Sequence, residues 1–159
     1  MKKLIPTALL FIVSSCTSNN VNSTEQVLFN KVVFAIKSAD MKKLSEPDYD
    51  DVSTYLSNGE ARWVELYPKL NKEPFLGMTS FQEGLNIAMA YALSVNPSEI
   101  LKFVNSSNVD YICGIPFIEP TQDEIDSYYL KASAALKKLT SESHWKEKCL
   151  STLTSAMNK

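Results

Sequence analysis

The stretch "YICGIPFIEP", residues 111–120, packs a cysteine, a glycine, two prolines and a glutamate into ten residues. The rest of the chain reads as helix after helix, with apolar residues recurring at three- and four-residue spacing. The stretch is therefore either a reactive loop or a corner between helices. The corner reading accounts for more of its residues. Gly114 permits a backbone conformation, or a close approach, that a side chain would block. Pro116 and Pro120 push Ile115 and Glu119 toward extended conformations, and Pro120 sits just before the next helix start. Tyr111 and Ile112 are expected to leave the preceding turn in extended form, with Ile115, Phe117 and Ile118 anchored in the core. A pinned, partly apolar loop is also a good recognition surface, which makes Phe117 and Glu119 the candidate partner-binding residues.

Outward from the corner, the helices are legible from their start signals. Thr121-Gln122-Asp123-Glu124 has the form of a capping box; Ile125, Tyr128, Tyr129, Ala132, Leu136 and Leu139 then predict a long amphipathic helix. A final helix from Ser141 or Ser143 carries Trp145, Cys149, Leu150 and Leu153. Upstream, Asn96-Pro97-Ser98-Glu99 places asparagine at an N-cap and proline at N1, and "NSSN" (residues 105–108) closes that helix. A helix capped by Thr79 or Ser80 runs to about Val95, with Phe81, Leu85, Ala88, Met89, Ala92 and Leu93 inward. One helix spans roughly residues 60–70, with Pro68 bending or ending it. Another covers about residues 48–57, with Gly59 as its stop. The first begins near Thr24 behind Ser23 and Gln26. Its broad stripe of Val27, Leu28, Phe29, Val32, Val33, Phe34 and Ile36 predicts a central element. With four glycines and no strand-like alternation, the expected fold is all-α: a compact bundle or small stack of about seven helices. No fixed repeat period is present.

The amino terminus addresses the compartment. Met1-Lys2-Lys3 is basic, and residues 4–13 form an apolar run too short for the ~20 residues of a membrane-spanning helix but suited to a signal peptide. The run ends in Val13-Ser14-Ser15-Cys16, which resembles the lipobox of bacterial lipoproteins. The resemblance implies cleavage before Cys16, a diacylglyceryl thioether on its sulfur and acylation of the new amino terminus. Three acyl chains at ~0.8 kcal/mol per buried CH₂ hold a protein on a bilayer. By resemblance to Gram-negative sorting, Thr17 after the cysteine favours the outer membrane, facing the periplasm. The expected organisation is a signal peptide over 1–15, a lipidated flexible tether over 16–23 and one helical domain over 24–159.

Composition narrows the function. The net charge is −2 and becomes two units more acidic once Lys2 and Lys3 are removed, which argues against nucleic acid and against general adhesion to anionic lipid. Cys113 and Cys149 are the thiols left after Cys16. In an oxidising envelope such a pair is most simply a disulfide. A Cys113–His144 nucleophile pair is the sharper alternative, but no orienting Asn or Asp stands in a recognisable context. One histidine and two cysteines at these spacings match no zinc pattern. "DYDD" (residues 48–51) lacks the EF-hand glycine, having Ser53 there, and lacks the glutamate at the twelfth position. It reads as a helix start. No cofactor and no metal are expected.

"CGIPFIEP" followed by a second cysteine in a C-terminal helix resembles a corner in small helical envelope proteins of bacteria, over about the last 100 residues. The resemblance implies an all-α fold and the Cys113–Cys149 bond, and it transfers no activity. The expected function is non-catalytic: a membrane-tethered helical domain that binds another protein, in one version as an immunity protein against an antibacterial effector in the periplasm. The alternatives are a structural or assembly lipoprotein and a peptidoglycan-acting enzyme using Glu83 or Glu119 as a positioned acid.

Overall fold

Helix α5, Thr79–Leu93, is the axis of the fold. Phe81, Leu85, Ala88, Met89, Ala90, Ala92 and Leu93 are all buried, on more sides than one amphipathic face accounts for. The run of alanines lets neighbouring helices approach closely. In the computed structural model, which describes residues 23–141 and 143–157, the other elements pack around this helix. They are α1 Ser23–Ser38, α2 Glu46–Ser57, α3 Ala61–Val64, α4 Tyr67–Leu70, α6 Pro97–Ile100, α7 Val109–Ile112, α8 Gln122–Lys138 and α9 His144–Ala156. Two 3₁₀ turns, Met41–Lys43 and Phe75–Gly77, complete the set. The fold is all-α, and no strand occurs among the described residues. The expected signal peptide, Cys16 and nearly all of the expected tether lie outside those residues.

The largest contact is that of α2 with α5; α6, α7 and α8 also pack on α5, and α9 packs on α7 and α8. α1 is not the central element that its apolar content suggests. Leu28, Val32 and Ala35 are buried, but Val27 and Phe34 face solvent. It is an outer helix whose inner side is fastened by a polar hub. The Glu25 carboxylate, only 7 % exposed, accepts from Trp63 Nε1 at 2.8 Å and pairs with the Arg62 guanidinium. Gln26 uses its amide on Arg62 and Asn30. Burial alone would raise the Glu25 pKa, but the Trp63 indole and the Arg62 charge outweigh it and hold the carboxyl below its usual range. Glu60 is pushed the other way, by burial and by the Glu25 charge.

Helix starts explain most boundaries. Asp48 sits at N3 of α2, where it accepts from the N–H and hydroxyl of Ser45 and pairs with Lys31. The helix therefore begins at Glu46, two residues before the expected start, and "DYDD" serves its first turns. The expected helix over residues 60–70 is two short turns, α3 and α4. Pro68 has no N–H for the Val64 carbonyl, so the chain breaks at Glu65 and Leu66 and restarts with Pro68 in the first turn of α4. α5 begins at Thr79 without a side-chain cap; neither Thr79 nor Ser80 takes that role, and Gln82 instead donates to the Leu70 and Phe75 carbonyls. Asn96 stands at the N-cap of α6, but its amide donates to the Gly59 carbonyl at 2.8 Å. Gly59 itself holds φ +70 within 3.0 Å of the Asn96 Cβ, by the position its own Cβ would take. α8 follows its signal, with Thr121 and Glu124 forming the capping box. Ser143 caps α9.

A candidate partner-binding surface at the corner

"NSSN" does not simply end a helix; it starts one. The Asn108 side chain accepts from the Asn105 N–H and donates to the Phe103 carbonyl, which satisfies backbone groups of the turn. Val109 and Ile112, three residues apart, then face the core as α7. Tyr111 and Ile112 are consequently helical, not extended, and Tyr111 is thrown outward at 65 % exposure.

After α7 the corner is fixed at several points. Cys113 and Cys149 are both fully buried and joined, with Cα atoms 4.9 Å apart. A Cβ on Gly114 would stand 2.5 Å from the Asp110 carbonyl oxygen, so only glycine permits the chain to turn back over α7. Pro116 is buried. Phe117 wedges between two tyrosines, with ring centroids 5.7 Å from Tyr91 and 5.8 Å from Tyr128 in edge-on geometry. Tyr128 in turn donates to the Ala90 carbonyl at 2.7 Å, and burial drives its phenol far above the ordinary value. At the far end Glu124 accepts from the Thr121 N–H and hydroxyl, which lowers its pKa.

Between these fixed points the loop bulges outward. Ile118 is 86 % exposed, not anchored in the core as its apolar side chain suggests. Glu119 is not extended: it takes φ +50. That left-handed turn stands between the exposed Ile118 and Pro120. Ile118 and Tyr111 border a groove of about 300 Å³ whose walls also include Ile87, Ile115 and Phe117, with Glu83 and Asp110 among the lining. Two further depressions, one toward α8 and one toward α9, share Phe117 as a wall.

Of the two residues singled out from sequence, Phe117 thus lies at the centre of this surface. Glu119 is exposed beside it and is not among the groove's lining residues. Tyr111 was missed because its segment reads as extended, not as a turn of helix, and Ile118 because an aperiodic loop gives no sign of which apolar side chains point inward. Glu83 and Glu119 are not brought together in the groove. The Cys113 sulfur is engaged by Cys149, and His144 is exposed at the start of α9 against the Trp145 ring. Among the described residues no cluster of three metal-ligating side chains forms.

No protein-family profile, curated protein or solved structure matches this chain.

Proposed function

We propose that the protein is a lipid-anchored envelope protein whose helical domain binds another protein through the corner surface, acting as a periplasmic immunity protein that occludes an antibacterial effector. The observation that carries this reading is the outward presentation of Tyr111 on α7 and Ile118 on the corner loop, at the lip of an apolar groove whose flanks are fixed at both ends. Large apolar side chains on a fixed backbone are the usual anchors of an interface. Ordering them costs little on binding, since the disulfide, Gly114, the buried Pro116 and the half-buried Phe117 have already done it. The lipobox-like Val13-Ser14-Ser15-Cys16 supports the anchor and the compartment.

The test uses the chain from residue 16 onward with Cys16→Ser, which lacks the lipid, as bait against periplasmic and secreted fractions. An effector recovered in stoichiometric amount, and lost with Ile118→Asp at unchanged melting temperature, is the expected result. Recovery of resident envelope proteins through the same surface would replace immunity with an assembly role. A partner retained equally by Ile118→Asp, or no partner, would overturn the corner as the binding surface.

A further inference from the structure

The outer side of α1 carries a stripe that the fold leaves uncovered. Val27 and Phe34 are 68 % and 56 % exposed. They stand seven residues apart, two helical turns, and so lie on one line of the helix with Lys31 between them. The Met41–Lys43 turn folds alongside, placing Lys43 Nζ 5.8 Å from the centre of the Phe34 ring. Lys31 and Lys43 have counter-ions in Asp48 and Asp40. Lys37 and Lys42 form no ion pair among the described residues. The stripe therefore sets two apolar side chains about Lys31, with Lys37, Lys42 and Lys43 nearby, so that lysines outnumber the aspartates Asp40 and Asp48, although the chain as a whole is acidic. Screening at physiological salt confines each charge to its own surroundings of about 8 Å, so the local sign decides the contact.

The position of α1 in the chain indicates what covers this face. Six residues, 17–22, separate Cys16 from the first residue of α1, and their full extension is roughly 25 Å, close to the length of α1 itself. An anchor at Cys16 keeps α1 within that reach of the bilayer. Contact between the two is then intramolecular, at an effective concentration in the millimolar range. A patch too weak to bind vesicles from solution suffices under these conditions. Each lysine near an anionic surface adds roughly fivefold to the bound population.

Resting on the lipid anchor of the reading above, we propose that the Val27–Phe34 face of α1 lies on the anionic bilayer that holds Cys16. Val27 and Phe34 enter the interface, and Lys37 and Lys42 meet the lipid phosphates. The anchor then sets the orientation of the domain as well as its location.

With Cys113 and Cys149 bonded, Cys16 is the one free thiol of the chain from residue 16 onward, so that chain can be coupled to maleimide lipid in vesicles of phosphatidylcholine and phosphatidylglycerol carrying a diazirine phospholipid. After photolysis, mass spectrometry should find the label concentrated in residues 23–43. It should fall at least fivefold in Val27→Glu/Phe34→Glu, in Lys37→Glu/Lys42→Glu and on vesicles of phosphatidylcholine alone, with melting temperatures unchanged. Label spread evenly over the domain, or α1 label that survives both double variants, would overturn the proposal. The chemical coupling supplies an anchor in either case. The natural anchor is tested separately, by palmitate labelling of the full-length chain in cells and its loss in Cys16→Ala.

Discussion

The carboxylate of Glu25 accepts a hydrogen bond from the indole of Trp63 at 2.8 Å, across 38 residues of chain. With Arg62 on the same oxygen, this contact fastens α1 to α3. Glu25→Ala would leave a buried indole N–H and a three-quarters-buried guanidinium without their acceptor. Hydrogen bonds to charged groups are worth ~1.5–3 kcal/mol, so the expected loss is about 2 kcal/mol, or roughly 6–10 °C in melting temperature. Thermal denaturation followed by circular dichroism checks it; a shift under 2 °C would mean that the hub does not hold α1.

This hub and the Asp48–Lys31 pair at the start of α2 together predict a pH dependence with two opposing parts. Glu25 and Asp48 both have lowered pKa values in the fold. Their stabilisation is present above the ordinary carboxylate range, near pH 4, and is lost as the pH falls from there through the lowered folded values. Glu60 is raised, so its contribution is complete at low pH and is lost as the pH rises through its folded pKa. Glu60→Gln should accordingly raise the melting temperature at pH 7 by about 1–3 °C, the scale of a surface charge contact, and change little at pH 3.5. A gain that is equal at both pH values would rule out the charge of Glu25 as its cause.

Cys113 and Cys149 are separated by 36 positions. Closing a loop of that length is worth roughly 4 kcal/mol in the chain-entropy account. Reduction, or Cys149→Ser, should lower the melting temperature by about 12–20 °C. An equal melting temperature for oxidised and reduced protein would show that the two thiols are unpaired.

Two substitutions between glycine and alanine should act in opposite directions. Ala39 takes φ +50 just after α1, where its N–H donates to the Ile36 carbonyl and the Asp40 N–H to that of Ala35. This is a Schellman ending whose left-handed position prefers glycine, and Ala39→Gly should add ~1 kcal/mol. Gly114→Ala instead drives a methyl against the Asp110 carbonyl and should cost about 1–3 kcal/mol. Chemical denaturation of both variants measures the two signs together.

The legible parts of this chain were those in which a local signal and the tertiary packing agree. Thr121 and Glu124 announce α8 and cap it; Ser143 does the same for α9; Leu85, Met89 and Leu93 mark the inner side of α5. The misread parts depend on contacts distant in sequence. Asn96 looks like a cap, but its amide is taken by the Gly59 carbonyl, 37 residues away. α1 looks central because eight of its residues are apolar, and only the packed structure reveals that Val27 and Phe34 face outward. The corner was identified as a corner by its glycine and prolines. Ile118 faces outward beside a positive φ at Glu119, and no residue type there announces either.

The bond between Cys113 and Cys149 also decides what a protease could accomplish. The most exposed part of the corner, Ile118–Glu119, lies inside the covalent ring that the two sulfurs close. A single cut there would open the loop yet release nothing: α8 and α9 would remain tied to the body of the domain through Cys149. The domain would thus survive its first nick there as one particle.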